Sequence, residues 1–200
     1  MTGPIWHEPA LTRAERWSSH NLFGMTVWLT GLSGSGKSTI AYEVARQMHR
    51  AGTLTYVLDA DNVRHGLNAD LGFSDSDRVE NIRRIAEVAH LCSDAGILTF
   101  VPIISPFAQS RSHARQIHAD DGLAFVEVYV ATPLDECERR DPKGIYAKAR
   151  SGQITGLTGI DAPYEVPRMP DVVLGAQGES LEKSTQTLID AITSRRAPKQ

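Results

Sequence analysis

The chain has 200 residues, 41% apolar and 22% charged, with a net charge of −3. That length suits one domain with a sizeable core, and the charge balance excludes a general attraction to nucleic acid or anionic membrane. Cys92 and Cys137 supply neither a disulfide framework nor a metal-ligand spacing. No apolar run approaches the ~18 residues of a bilayer span, and the N-terminus lacks an apolar stretch behind a basic start, so a cytoplasmic location is expected.

In chain order, residues 1–24 mix Pro, His, Trp and charge without clear periodicity and read as an arm ahead of a single domain over 25–196. Met25–Thr30 (MTVWLT) is a short apolar run that predicts a buried strand. A glycine-rich turn follows, then apolar residues at helical spacing (Ile40, Ala41, Val44, Ala45, Met48) up to Arg50, with Gly52 as a stop. Thr53–Leu58 predicts a second strand. A long helix is expected from about Asp77 to Ala95, capped by Ser76 or Asp75.

Ile97–Ile104 reads as a third strand and Ser105-Pro106 as the start of a helix. Ala124–Val130 predicts a fourth strand, and Thr132-Pro133 opens another helix. Residues 140–170, rich in Gly, Pro, Lys and Arg, suggest a mobile lid. Asp171–Leu174 predicts a fifth strand, Ser180–Thr193 a closing helix, and SRRAPKQ a tail. Alternating strands and helices imply an α/β fold: a mostly parallel five-stranded sheet with helices on both faces, in three layers. Ligands in such folds gather at the carboxyl ends of the strands.

Gly31-Leu32-Ser33-Gly34-Ser35-Gly36-Lys37-Ser38, followed by Thr39, fits G-x-x-x-x-G-K-[ST] between a strand and a helix. Its backbone N–H groups and helix N-terminus suit phosphate oxygens. Lys37 reaches for the terminal phosphates of ATP, and the Ser38 hydroxyl is a ligand for Mg²⁺. No N-K-x-D guanine element is present, and the third strand ends in Ser105 rather than an acid. The acids lie instead in Asp59-Ala60-Asp61 after the second strand. Strand alternation would put both on one side. One would serve the metal and the other orient or deprotonate an attacking hydroxyl, in an order the sequence leaves open. Asp61 is also a candidate cap for the segment that follows.

Beyond the phosphate loop, D-x-D-N-V-R-H-G-L-N, D-L-G-F-S, D-R-x-E-N-I-R-R, I-S-P-F at 104–107, R-D-P-K-G-I-Y-A-K-A-R at 140–150 and T-G-I-D-A-P-Y-E at 158–165 follow in order. Across roughly residues 24–175 the chain resembles adenylylsulfate kinase. That resemblance implies ATP-dependent phosphorylation of the 3′-hydroxyl of adenosine 5′-phosphosulfate (APS) with Mg²⁺, a homodimer, and a link to ATP sulfurylase, which makes the substrate.

Such an acceptor calls for cations, an aromatic platform and an acid near the ribose. Arg64 and Arg78 suit the phosphosulfate, and Asn81, one helical turn from Arg78, suits a purine edge or ribose. The resemblance implies stacking of Phe73 on adenine. Ser105 matches a serine once described as a phosphoenzyme intermediate. Direct transfer is the physically preferred route, with Ile104 and Ser105 lining the acceptor pocket or Ser105 capping a helix. In the lid, Lys143 is expected near phosphates and Arg139 or Arg140 over the ATP adenine. Leu157 replaces a usual Phe against the acceptor adenine, which predicts weaker acceptor binding. The other readings are a related small-molecule kinase or a nucleotide-binding subunit without turnover.

Overall fold

A computed structural model describes residues 3–5 and 7–196. In chain order its elements are α1 (Arg13–His20), β1 (Met25–Thr30), α2 (Lys37–Arg50), β2 (Thr55–Val57), α3 (Ala60–Val63), α4 (Asp75–Asp94), β3 (Leu98–Pro102), α5 (Ala108–Asp120), β4 (Ala124–Val130), α6 (Leu134–Arg140), α7 (Ile145–Arg150), β5 (Val172–Leu174) and α8 (Leu181–Arg196). The sheet runs β2-β3-β1-β4-β5, and every neighbouring pair is parallel. β1 is central. The chain leaves it for one half of the sheet and later crosses to the other, which opens a ligand crevice at the carboxyl ends. No helix among the described residues is long and apolar enough to cross a membrane.

Period-2 alternation in β1 divides the core. Met25, Val27 and Leu29 pack with α2, β4 and α8 on one face. Trp28 packs with Val101, Ile103, Phe125, α4 and Ala114 of α5 on the other. A third cluster of Cys137, Tyr146 and Leu157, with Leu32, Leu134 and Ile145, seats the lid segment. Its base is therefore a small packed body rather than an irregular strip.

Five expectations need correction. The arm holds a real helix, α1, closed by a Thr12/Glu15 capping box. Its residues Arg13 and Arg16 pair with Asp94 at 2.6 and 2.5 Å, and Trp17 Nε1 donates to the Asp94 carbonyl at 2.9 Å. The cap of α4 is Ser74, which accepts from the Asp77 N–H at 3.2 Å, so the helix starts two residues early. Ser105 caps nothing: it sits at φ +40°, and α5 starts only at Ala108. The Thr132 hydroxyl donates to the Ser35 carbonyl at 2.8 Å, leaving Pro133 at the start of α6. In the expected tail, residues 194–196 continue α8, and 197–200 lie outside the described residues.

Candidate active site

A cavity of about 400 Å³ opens at the carboxyl ends of β1, β2 and β3. The phosphate loop forms one wall through Ser33, Gly34, Gly36, Lys37, Ser38 and Thr39. The opposite wall carries Arg64, Phe73, Arg78, Asn81, Ile104 and Ser105. Asp59 and Asp61 line it as well, and Arg140 and Lys143 reach it from the lid side.

Gly31 explains why the loop can fold so tightly. At φ +150°, a Cβ there would lie 2.5 Å from the Val130 carbonyl oxygen. Two further bonds hold the loop: Tyr146 Oη donates to the Ser33 carbonyl at 2.9 Å, and Thr132, just past β4, donates to Ser35. Leu32 packs into the lid cluster. The Lys37 ammonium is folded over its own loop, 2.7 Å from the Leu32 carbonyl and 3.4 Å from the Ser35 hydroxyl. Burial disfavours its charge and brings its pKa down to about 8.

The acids reach the cavity by a different local route from strand alternation. β2 ends at Val57. Asp59, rather than Asp61, caps α3, with its Oδ1 accepting the Asp61 N–H at 2.9 Å. Its side chain is buried with an edge on the cavity. Asp61 lies in the first turn of α3, exposed, and its carboxylate pairs with Lys143 across the cavity. Ser38 and Asp59 thus offer hard oxygen donors to the same space, which fits a magnesium ion held mainly by substrate phosphates and water. No group of three or more His, Cys, Asp or Glu suited to a metal is found among the described residues.

On the acceptor side the arginines are committed to loop carbonyls. Arg64 Nη1 donates to Gly72 O at 2.9 Å, and its guanidinium lies 4.5 Å from the centre of the exposed Phe73 ring. Arg78 donates to Phe73 O (2.9 Å), Gly156 O (2.6 Å) and Thr158 Oγ1 (2.8 Å), tying the loop before α4 to the lid. Ser105 lines the cavity, but its hydroxyl faces the sheet. It accepts from Trp28 Nε1 at 3.1 Å and donates to Thr30 Oγ1 at 3.0 Å, and the residue is 1% exposed. Its proton is directed at a neutral hydroxyl rather than a base, and one lone pair of its oxygen is occupied by Trp28, so the expected catalytic contribution of its hydroxyl is not supported.

Two more expectations shift. Arg139 is exposed and forked onto Glu136, whereas Arg140 lines the cavity. Leu157 is buried in the lid cluster, away from the cavity wall.

Sequence reasoning missed Arg111. Almost fully buried, it donates to Glu127 Oε1 (2.9 Å), Ser105 O (2.7 Å) and Glu165 O (2.6 Å). Tyr164, inside the quoted IDAPYE stretch, adds a hydroxyl contact to Thr30 at 3.0 Å. Only the unusual placement of a charged residue on the inner face of α5 could have signalled Arg111.

The sequence model of adenylylsulphate kinase matches residues 23–175. The chain is 48% identical over 189 residues to the adenylyl-sulfate kinase of Clostridium acetobutylicum, covering 94% of this chain and 93% of that one. It is 56% identical over 171 residues to the bifunctional enzyme CysN/CysC of Mycobacterium tuberculosis, covering 86% of this chain but spanning only 28% of that protein. Among solved structures, the APS kinase CysC of Mycobacterium tuberculosis, determined with AMPPNP and APS, superposes with a TM-score of 0.83 at 55% identity, covering 86% of this chain and 99% of that one. With the phosphate loop, the paired acids and the cationic wall around one cavity, this chain belongs to the adenylylsulphate kinase family.

Proposed function

We propose that the chain transfers the γ-phosphoryl group of ATP to the 3′-hydroxyl of APS, giving ADP and 3′-phosphoadenosine 5′-phosphosulfate. The observation that carries this reading is the placement of a triphosphate loop and a cationic, aromatic-edged wall on opposite sides of one cavity lined by two acids. The solved relative holding a nucleotide analogue together with APS supports it.

In this reading the loop amides and Lys37 bind the phosphates and offset charge developing on the transferring group. Ser38 and Asp59 would hold Mg²⁺, which would supply charge neutralisation to the transferring phosphate when bound. Asp61, the more accessible acid, orients the acceptor hydroxyl and takes its proton as the new P–O bond forms and the bond to ADP breaks. Lys143 then exchanges Asp61 for phosphate oxygens. Transfer is direct, since the Ser105 hydroxyl is turned toward Thr30 and Trp28. Arg64, Arg78 and Phe73 bind the acceptor once its phosphosulfate competes for their present partners.

A coupled ADP-release assay with APS, and AMP as control, tests the reading. Release with APS alone is expected. Equal release with both acceptors favours a broader small-molecule kinase, and ATP binding without release favours a subunit without turnover. Asp61→Asn with full turnover would remove Asp61 from its role. A homodimer and association with ATP sulfurylase belong to the same proposal. The bifunctional relative supports a link to a second activity, and light scattering across a concentration series tests the dimer.

A further inference from the structure

Asn81 lines the cavity at 4% exposure. An amide is directional, with an acceptor on one edge and two donors on the other, so which edge faces the ligand decides what it can recognise. Asn68 determines this from behind. Fully buried, it donates from Nδ2 to Asn81 Oδ1 at 2.9 Å. The Asn81 oxygen is thereby turned inward, and its NH₂ has no protein partner among the described residues.

The orientation of Asn68 is itself determined. Its Oδ1 is enclosed without a partner. Rotating the amide would enclose an NH₂ there instead, and orphaned buried N–H groups are rarer than under-satisfied carbonyl oxygens. The Asn68 backbone is tied on both sides: its N–H donates to Val63 O at 3.1 Å, and its carbonyl accepts from Leu71 N at 3.2 Å. The turn between α3 and α4 thus delivers Asn68 under Asn81.

Resting on the proposed function, we infer that Asn68 is a positioning residue. It locks Asn81 so that the cavity presents a hydrogen-bond donor and selects an acceptor atom on the incoming nucleotide: a purine ring nitrogen or a ribose oxygen. Asn68→Asp, nearly isosteric, can only accept from Asn81 when ionised, so it turns the Asn81 carbonyl to the cavity. Asn68→Ala removes the lock without adding charge.

The test measures KM for APS and for ATP, with kcat, in wild type, Asn68→Asp, Asn68→Ala, Asn81→Ala and the two double variants. Asn68→Asp is expected to raise the APS KM at least about tenfold, the scale of one hydrogen bond lost with an unpaired group left behind. Asn68→Ala is expected to raise it less, and the ATP KM should stay within about twofold. In the Asn81→Ala background, either Asn68 change should add nothing further to the APS KM, because the effect acts through Asn81.

Multiplying effects, or an equal rise in both KM values, overturn the inference by showing a general structural role. So does an unchanged APS KM in Asn68→Asp. If Asn68→Asp fails to fold, the Asn68→Ala and Asn81→Ala cycle decides alone. Wild type that neither binds nor phosphorylates APS overturns the proposed function, and this inference with it.

Discussion

Replacing Arg111 by Met keeps an unbranched apolar stem and removes the guanidinium with its charge. Three bonds vanish: one to Glu127 and one each to the carbonyls of Ser105 and Glu165. Glu127, largely buried, keeps only Arg115 at 3.4 Å as an ionic partner among the described residues, and Arg115 is already held by Asp171 at 2.7 Å. Removing one member of a buried ion pair costs about 3–5 kcal/mol, because the remaining charge stays desolvated. For a chain of this size that lowers Tm by roughly 6–20 °C. Arg111→Lys retains the charge but not the fork, and a loss of about 1–3 kcal/mol is expected. Urea unfolding followed by fluorescence, with calorimetric Tm, provides both numbers. A loss under about 1 kcal/mol in Arg111→Met, or equal losses in the two variants, would refute the assignment of stability to this network.

Three further outcomes are expected. Because burial holds Lys37 near a pKa of about 8 and triphosphate would favour its charged form, ATP binding should take up a proton at pH 9 and almost none at pH 6.5; affinity should fall as pH rises past 8. Calorimetry in buffers of different ionisation enthalpy reads the uptake, and Lys37→Arg should abolish it. His118 is buried, with Nδ1 donating to Ala114 O at 2.7 Å and Nε2 left to the Thr26 hydroxyl at 2.8 Å; desolvation lowers its pKa to about 4. A base depressed in the folded state gives stability that is complete above its unfolded value and is lost as pH falls from about 6.5 to 4, here about 3 kcal/mol. His118→Gln should flatten that part of the pH–stability curve. Gly24→Ala places a Cβ 1.8 Å from the Ser93 carbonyl oxygen, so the join between α1 and β1 must shift; protease cleavage near residue 20 should accelerate, and an unchanged rate would show that the join adapts freely.

The phosphate loop and β4 were legible because their signals are local: a fixed spacing in one case and a seven-residue run, apolar but for Glu127, in the other. The α1 helix went unread: Thr12 and Glu15 stand three apart as a capping box demands, but the mixed composition around them masked the signal. Ser105 was not legible. Ser-Pro is an ordinary helix start, and what forbids it here are partners far along the chain, Trp28 and Thr30. The sequence also left Arg139 and Arg140 equivalent; the neighbouring Glu136 holds both, and of the two Arg140 faces the cavity. Leu157 was read as a ligand contact because its neighbours form a motif, yet its apolar chain found Cys137 and Tyr146 first.

The Asp61–Lys143 contact carries a kinetic consequence. Both side chains are more than half exposed, at 65% and 53%, so water and salt screen the pair and its contribution is about 0–1 kcal/mol. A bias of that size favours the bridged arrangement by about fivefold at most. The crossing from lid to acid is therefore a turnstile rather than a bolt: thermal motion releases it without help, raising ionic strength loosens it further, and a nucleotide arriving at the loop meets no electrostatic gate that its own phosphates could not displace.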